Sequence, residues 1–236
     1  MKRFNLLTVA AASLALGVVT LAGCSMNTEI SGEGTVDIVA DPNKEDCIAL
    51  FNQAFDELFK DPNVVIESKE NGKVDFTQNL YKETSKVVTS DNKTFYAFKD
   101  KEQAIVATEY SSDYKYIELD EERYEFQMRY FLGGFNFEVV EDENATWSCE
   151  YHETNSDKIS GDKVESHSEG KYSFELKATD YTMTAEVEMK DGLPQEIDYK
   201  GEFAHVDDNF DVDMTFTYGN AKFTLPDITG WPNQTK

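Results

Sequence analysis

The sequence predicts a mainly β protein of the α+β class, built on a single antiparallel sheet. The last third of the chain alternates apolar and polar residues with a period of two, which is the pattern of strands with one buried face. Short turn sequences such as Asp191-Gly192 separate these stretches and favour hairpins over helical crossovers. Only two segments show apolar residues at helical spacing, so one or two helices are expected to cover the sheet.

Residues 1–23 are organised as a secretory signal peptide. Lys2 and Arg3 precede an apolar run that begins at Phe4. The run ends in Leu-Ala-Gly-Cys at 21–24, which resembles the lipobox of bacterial lipoproteins. That resemblance implies cleavage before Cys24, acylation of its thiol, and a lipid anchor on the extracytoplasmic face of the cell membrane. The alternative is an uncleaved span, because the apolar run approaches the ~20 residues that a membrane-spanning helix needs.

The chain is strongly acidic, with 46 Asp and Glu against 22 Lys and Arg and a formal net charge of −24. The acidic residues are spread along the domain rather than collected in a tail. Such a chain is repelled by nucleic acids and by anionic lipid head groups, so no nucleic-acid partner is expected.

The three cysteines divide between the lipid site and the domain. With Cys24 assigned to the lipid, Cys47 and Cys149 remain. An exported chain can keep a disulfide, so these two residues are a possible pair. Two separately buried thiols are the alternative.

The domain is expected to begin with a helix that follows a polar tether. Residues 24–40 lack a sustained hydrophobic period and suit a tether between the lipid and a domain over 41–230. Asp41-Pro42 suits a helix start and Asp61-Pro62 a helix end. Between them, helical spacing predicts an amphipathic helix of about four turns whose aromatic stripe faces the core. Its apolar residues are Cys47, Ile48, Phe51, Ala54, Phe55, Leu58 and Phe59.

A series of short strands is predicted after this helix. Val64–Glu70 and Lys73–Tyr81 flank Asn71-Gly72, which is typical of a two-residue hairpin. Further strands are predicted at Lys86–Thr89, Thr94–Phe98, Ala104–Tyr110 and Tyr114–Leu119. The segment Asp120–Leu132 fits a helix and a strand equally well, and the N-cap residue Asp120 with Gly133-Gly134 at the end favours a helix.

The remaining chain is predicted to be mostly strand. Phe135–Val140 and Thr146–Tyr151 suit strands, whereas Glu153–Gly170 suits an exposed loop or a protruding hairpin tip. Four or five strands follow, the last one at Phe223 and Leu225. Because side chains alternate between the two faces of a strand, one set of large apolar side chains is predicted to lie on the face toward the first helix. They are Tyr172, Phe174, Met183, Val187, Tyr199, Phe203, Phe210, Met214 and Phe216.

The end of the chain also carries a family resemblance. The stretch MTAEVEMKDGLPQEIDYKGEF, followed by DVDMTFTYGNAKFTLPDI, is similar to the end of LolA/LppX-type (LppX/LprAFG-like) lipoproteins, which also have a lipobox and an early helix. The resemblance spans roughly 41–228. It implies a strongly curved, half-barrel antiparallel sheet wrapped around one or two helices, with an apolar concave side that holds a lipid or a lipidated partner. It supplies no catalytic residues.

The sequence contains no strong catalytic or metal-binding motif. None of His152, His167 and His205 sits in a His-Glu-x-x-His motif, and Cys149-x-x-His152 stands alone without a second ligand pair. No nucleophile elbow or phosphate loop is present. The alternating oxygens of 207–213 resemble a calcium loop but lack its glycine and its final glutamate. We therefore expect no enzyme activity, no cofactor and no metal site.

Two functions remain as hypotheses. The first is a cell-envelope lipoprotein that binds or carries an apolar, lipid-like ligand between sheet and helices. The expected ligand-lining residues are Phe51, Phe55, Met183, Val187, Tyr199, Phe203, Met214 and Phe216. The second is a structural or interaction lipoprotein with a filled core. An apolar cavity of ~300 Å³ or more would favour the first hypothesis.

Overall fold

The computed structural model describes residues 28–31, 35–38, 44–111, 113–133, 144–160, 163–204 and 209–235. Thirteen strands form one antiparallel sheet, which confirms the predicted mainly β class. The strands are β1 Thr28–Ser31, β2 Thr35–Ile38, β3 Asn63–Glu70, β4 Lys73–Tyr81, β5 Thr84–Thr89, β6 Thr94–Asp100, β7 Gln103–Tyr110, β8 Asp113–Leu119, β9 Thr146–Ser160, β10 Lys163–Lys177, β11 Tyr181–Lys190, β12 Leu193–Phe203 and β13 Phe210–Tyr218. Three α-helices, rather than the one or two expected, are described: α1 Lys44–Gln53, α2 Asp56–Lys60 and α3 Glu121–Met128.

The sheet consists of two meanders joined side by side. Its strand order is β1-β9-β10-β11-β12-β13-β3-β4-β5-β6-β7-β8, and β2 pairs with β9 beside β1. The strands β3–β8 and β9–β13 each follow one another as neighbours, as the hairpin spacing predicted. The pairing of β13 with β3 joins the two meanders, with Phe216 opposite Ile66. Residues from both halves of the chain therefore share one core.

Two hairpin turns have the backbone that their sequences predict. Asn71 and Gly72 have φ values of +50° and +74°, and Asp191 and Gly192 have +51° and +76°. Two consecutive positive φ values are characteristic of a type I′ turn, whose twist matches that of the flanking strands. The predicted strand pairs β3–β4 and β11–β12 are therefore confirmed together with their turns.

The predicted four-turn helix is interrupted, so that prediction is corrected to two shorter helices. Between α1 and α2, the Ala54 N–H donates to the Phe51 carbonyl (3.2 Å) and the Phe55 N–H to the Asn52 carbonyl (3.1 Å). These i to i−3 bonds tighten the turn. Both adjacent apolar residues, Ala54 and Phe55, are fully buried as a result. The aromatic stripe does face the core, as predicted, and the Phe51 ring lies 5.2 Å from that of Phe174.

The ambiguous segment after β8 is a helix. The Asp120 side chain caps α3 by accepting a hydrogen bond from the Arg123 N–H at 2.9 Å. Three residues, Tyr130–Leu132, then form a 3₁₀ turn. The capping residue therefore favours the helix over the strand in a stretch whose apolar spacing fits both.

A buried glutamine anchors the end of α3 to the sheet. The side chain of Gln78 on β4 donates to the Met128 carbonyl at 3.1 Å and to Ser85 Oγ at 2.8 Å. Its carbonyl oxygen accepts from the Phe131 N–H at 3.0 Å. Since an unpaired buried amide is costly, these bonds hold the 3₁₀ turn in one position above β4.

Two strands form in a segment that was predicted to lack them. β1 and β2 lie within the range expected to be a tether and pair with β9. Both are rich in Thr, Val and Ile, which favour strands, and the long β9 offers an open edge to them. The range 153–170, predicted as an exposed loop or a protruding hairpin tip, belongs to a hairpin, because β9 and β10 stay paired out to Ser160 and Lys163. The strand predicted at Phe135–Val140 lies outside the described residues.

The end of the chain is a second cover for the sheet. Phe223 and Leu225 do not form the predicted strand, and the segment instead packs on the face of β6 and β7 opposite α3. There Phe223, Ile228 and Trp231 contact a buried cluster made of Tyr96, Phe98, Ile105 and Ala107. The expectation that only helices cover the sheet was therefore wrong, because β6 and β7 bury both of their faces.

A disulfide joins the first helix to the sheet. The sulfur atoms of Cys47 in α1 and Cys149 in β9 are 2.16 Å apart, and the Cα atoms are separated by 5.6 Å. Both residues are buried.

The predicted signal peptide and Cys24 lie outside the described residues. Within the part of the chain that the structure describes, no helix is long and apolar enough to cross a membrane.

Two carboxylates face each other on the side of the sheet opposite the helices. Asp198 on β12 lies directly across from Asp213 on β13, with Glu186 of β11 on its other side. Burial raises the pKa of Asp198, followed by the hydrogen bond with Asp213 and the negative charges of Glu196 and Asp213, whereas Lys200 acts in the opposite direction. Like charges directly opposite one another destabilise a sheet.

Asp198→Asn should therefore raise the free energy of unfolding by about 0.5–1 kcal/mol at pH 7 and low salt. Because the pKa of Asp198 is raised in the folded state, the stability of the wild type falls as pH rises from the ordinary carboxyl range through that raised pKa. The stability advantage of Asp198→Asn over the wild type should therefore vanish near pH 4. Urea denaturation across this pH range measures it. Asp211→Asn is the control, because Asp211 lies opposite a lysine on β12 and not opposite a carboxylate, with its Oδ1 3.6 Å from Lys200 Nζ. Equal stability of Asp198→Asn and wild type at every pH would contradict the prediction.

Candidate ligand-binding cleft

A cleft of about 400 Å³ lies between the sheet and the chain segment that contains α3. Four neighbouring strands, β12, β13, β3 and β4, form its floor, and α3 with the following 3₁₀ turn forms its wall. The lining residues are Ser68, Glu70, Asp75, Phe76, Phe126, Tyr130, Phe131, Gly133, Tyr199, Phe210, Val212 and Met214.

The floor is continuous because strand register places its side chains next to one another. Val212 lies opposite Tyr199 on β12 and opposite Glu70 on β3. One step along, Met214 lies opposite Ser68, and Ser68 opposite Phe76 on β4. Because side chains alternate between the two faces of a strand, these residues all lie on the face toward the helices. The cleft therefore follows the junction of the two meanders.

The wall is made of aromatic side chains that pack on the sheet. The Tyr130 ring meets that of Phe76 edge-on at 5.1 Å, and Phe131 meets Phe216 edge-on at 5.7 Å. Phe131 is fully buried, whereas Phe126 is 56% exposed at the cleft opening. The wall therefore runs from a packed interior to an open rim.

Tyr199 and Phe210 close one side of the floor. Burial, and to a smaller extent Tyr181, raises the pKa of Tyr199 to about 12, so its hydroxyl is neutral at physiological pH. That hydroxyl donates to Met183 Sδ at 3.1 Å, and its ring centre is 4.9 Å from that of Phe210.

A glycine gives the Phe210 ring its position. Gly201 lies opposite Phe210, and the ring rests so close to it that a Cβ at this position would overlap the ring. A larger residue at 201 would therefore push the Phe210 ring off the backbone and change the shape of the cleft.

The opening of the cleft carries two carboxylates. Glu70 ends β3 in the same alternation phase as the buried Ile66 and Ser68. Asp75 is the extra residue of a β-bulge, because Ser68 pairs with Phe76 while Lys69 pairs with Val74. Both carboxylates belong to exposed residues.

The charge of Asp75 reaches the aromatic wall. Burial raises the pKa of the Tyr130 hydroxyl, and the negative charges of Asp75 and Asp91 raise it further. The Tyr130 hydroxyl therefore stays protonated at physiological pH.

Two other depressions are described, and both are more polar. One of about 410 Å³ lies over β9–β12 and includes His152, Glu169 and Lys190 in its lining. Another of about 440 Å³ lies beside α1 and α2 and includes Asp56, Glu57 and Lys60. Neither offers the run of aromatic side chains found in the cleft under α3.

The structure separates the residues that sequence reasoning expected to line a ligand site. Tyr199 and Met214 line the cleft. Phe51, Phe55, Met183, Val187 and Phe216 belong to the buried core beside it. Phe203 is half-buried, and its ring lies 6.1 Å from that of Phe210.

Sequence reasoning missed the contributions of β3, β4 and α3. A signal for two of these residues was present, because Ser68 and Glu70 continue the apolar phase of Val64 and Ile66 with polar groups. A polar residue in the buried phase at the end of a strand marks the place where that face opens to water. Phe126 and Tyr130 gave no such signal, since only the packing of α3 decides what they face.

Titratable groups do not gather into a metal site among the described residues. Cys149 is bonded to Cys47, which leaves His152 beside Glu150, with Nε2 and Oε1 3.3 Å apart. His205 and Asp207 lie outside the described residues.

Comparisons of this chain with protein-family models, with curated proteins and with solved structures found no significant match.

Proposed function

We propose that this protein binds or carries an apolar, lipid-like ligand in the cleft under α3. The observation that carries the proposal is the cleft itself. Its volume of about 400 Å³ falls within the ~300–1,000 Å³ of small-molecule sites, and six of its twelve lining residues are aromatic. Val212 and Met214 add apolar floor, and methionine adapts to ligands of varied shape.

The proposal includes the cellular setting expected from the sequence. The lipobox-like end at Cys24 and the resemblance of the last strands to LolA/LppX-type lipoproteins support an extracytoplasmic lipoprotein with a LolA/LppX-like domain. We also propose the strongly curved, half-barrel shape of that family for the sheet. The function requires no catalytic residue, metal or cofactor, and the membrane is reached through the lipid on Cys24.

Met214→Trp should abolish ligand binding, because the larger side chain would fill the cleft floor between Ser68 and Val212. Native mass spectrometry of the purified chain should show a co-purified apolar ligand in the wild type and none in the variant. The loss of stability should stay below the ~1–3 kcal/mol that is typical of overpacking, since the cleft accepts the added atoms.

Leu176→Trp is the matched control. Leu176 on β10 is a fully buried residue of the same sheet that lines neither this cleft nor the two other depressions described above. It should show the full overpacking cost and retain the ligand. Loss of ligand in both variants, or in neither, would contradict a site in the cleft.

Cys24→Ala should abolish acylation and release or mislocalise the protein. Metabolic labelling with an acyl-chain analogue measures the first effect, and cell fractionation measures the second. Ser25→Ala is the control and should leave both unchanged. Undiminished labelling of Cys24→Ala would exclude Cys24 as the lipid site.

The competing function is a structural or interaction lipoprotein with a filled core. Its support is the dense packing between α1, α2 and β9–β12, where Phe55, Leu176 and Ile197 are fully buried. This function predicts no co-purified ligand and equal stability losses for Met214→Trp and Leu176→Trp.

A further inference from the structure

The open end of the cleft is acidic and the rest of its lining is uncharged. Glu70 and Asp75 are the charged residues among those that line it, and both are exposed at the opening. Neither forms an ion pair with a lysine, arginine or histidine in the described part of the chain. A ligand in the cleft would therefore meet two carboxylates whose charge no neighbouring cation within 4 Å neutralises.

Aromatic faces lie beside these carboxylates. Phe76 follows Asp75 directly on β4, its ring packs against Tyr130, and Phe126 stands exposed at the rim. Aromatic rings attract a cation through their negative faces, an interaction that adds to the attraction of the carboxylates. A carboxylate ligand would meet repulsion from the same groups.

The charge of the whole chain acts in the same direction. A formal net charge of −24 lowers the local concentration of anions and raises that of cations. After burial, the negative charges of Asp75 and Asp91 raise the pKa of the nearby Tyr130 hydroxyl, and of these two carboxylates Asp91 is paired with Lys93 at 2.7 Å. The floor further in, with Val212, Met214 and Phe210, offers only apolar surface.

We propose that the cleft selects cationic amphiphiles, small molecules with an apolar tail and a positively charged amine end, and disfavours fatty acids. This inference rests on the proposed function and adds the class of ligand to it. The tail lies along the floor made by Phe210, Val212 and Met214. The ammonium group lies at the opening between Glu70 and Asp75.

Three ligands with the same tail test this selectivity: decylammonium and decanoate, each below its micelle concentration, and decan-1-ol below its solubility limit. The protein is the chain from residue 24 to 236 with Cys24→Ser, which contains every described residue and carries no acyl group. Titration calorimetry at low salt should show decylammonium binding about tenfold more tightly than decanoate, with decan-1-ol between them. At ~0.5 M salt the difference should shrink to about threefold or less.

The double variant Glu70→Gln/Asp75→Asn should lose most of the preference for decylammonium over decanoate, and its affinity for decan-1-ol should be unchanged. The double variant Asp100→Asn/Glu102→Gln is the control, because it removes the same two charges from the exposed turn between β6 and β7. It should keep the wild-type preference.

The outcomes separate this inference from the proposed function. Binding of decan-1-ol together with equal or tighter binding of decanoate overturns the cationic selectivity and leaves an apolar ligand site in place. Failure of all three ligands to bind overturns both. A preference for decylammonium that is undiminished in Glu70→Gln/Asp75→Asn overturns the assignment to these two carboxylates.

Discussion

Removal of the disulfide with Cys47→Ala/Cys149→Ala should lower the free energy of unfolding by about 3–5 kcal/mol. The bond joins residues 102 positions apart. In the chain-entropy model, a crosslink that closes a loop of ~100 residues destabilises the unfolded state by about 4.7 kcal/mol. Urea denaturation measures this loss. The slope of the unfolding free energy against urea concentration shows whether the unfolded chain has expanded.

Alanine suits this test because both sulfur atoms lie in an apolar, buried setting. The wild-type protein with a reductant is the control, and its unfolding midpoint should approach that of the double variant. Two thiols that react with an alkylating agent in the denatured, unreduced protein would show that the bond is absent. A stability loss below ~1 kcal/mol would contradict the prediction that the bond stabilises the protein by restricting the unfolded chain.

Phe131→Ala should lower the free energy of unfolding by about 3–5 kcal/mol, the usual cost of removing a buried phenylalanine ring. Phe131 is 0% exposed. Its ring centre lies 5.5 Å from that of Phe55, 6.0 Å from that of Phe59 and 5.7 Å from that of Phe216. It therefore joins the helices, the 3₁₀ turn and β13, and its removal leaves a void beside the cleft.

Phe126→Ala is the matched control for this variant. Phe126 belongs to the same wall but is 56% exposed, so its loss should cost less than ~1 kcal/mol. Thermal or urea unfolding of both variants measures the difference. Equal effects of the two substitutions would show that the segment after α3 is not packed on the sheet as described. The Phe131 backbone bond to Gln78 is kept in the variant, so the loss reports on the ring alone.

Local sequence signals predicted most of the strands and several turns. Asn71-Gly72 and Asp191-Gly192 specify tight turns because asparagine, aspartate and glycine tolerate positive φ. The alternation of Met183, Ala185 and Val187 with polar residues specifies which face of β11 is buried. These properties depend on neighbours in the chain and on the two-residue period of a strand, so they can be recognised without the fold.

Other predictions failed where distant parts of the chain compete for the same surface. The first helix breaks at Ala54-Phe55, where tightened turns bury both residues against the sheet. The end of the chain packs around Phe223 and Trp231 because β6 and β7 present a second apolar face. Neither arrangement follows from the spacing of apolar residues alone. The spacing predicts which residues are buried, but it does not predict which part of the chain packs against them.

The candidate cleft shows the same division. The sequence by itself determined that Tyr199 and Met214 share the apolar face of the last strands, because side chains alternate along a strand. Only the tertiary structure decided that β13 pairs with β3, which brings Glu70 and Ser68 beside Val212 and Met214. It also decided that Gln78 fixes the turn after α3 above that junction. Pairing between distant strands depends on the free energy of the whole assembled sheet, and no local pattern encodes it.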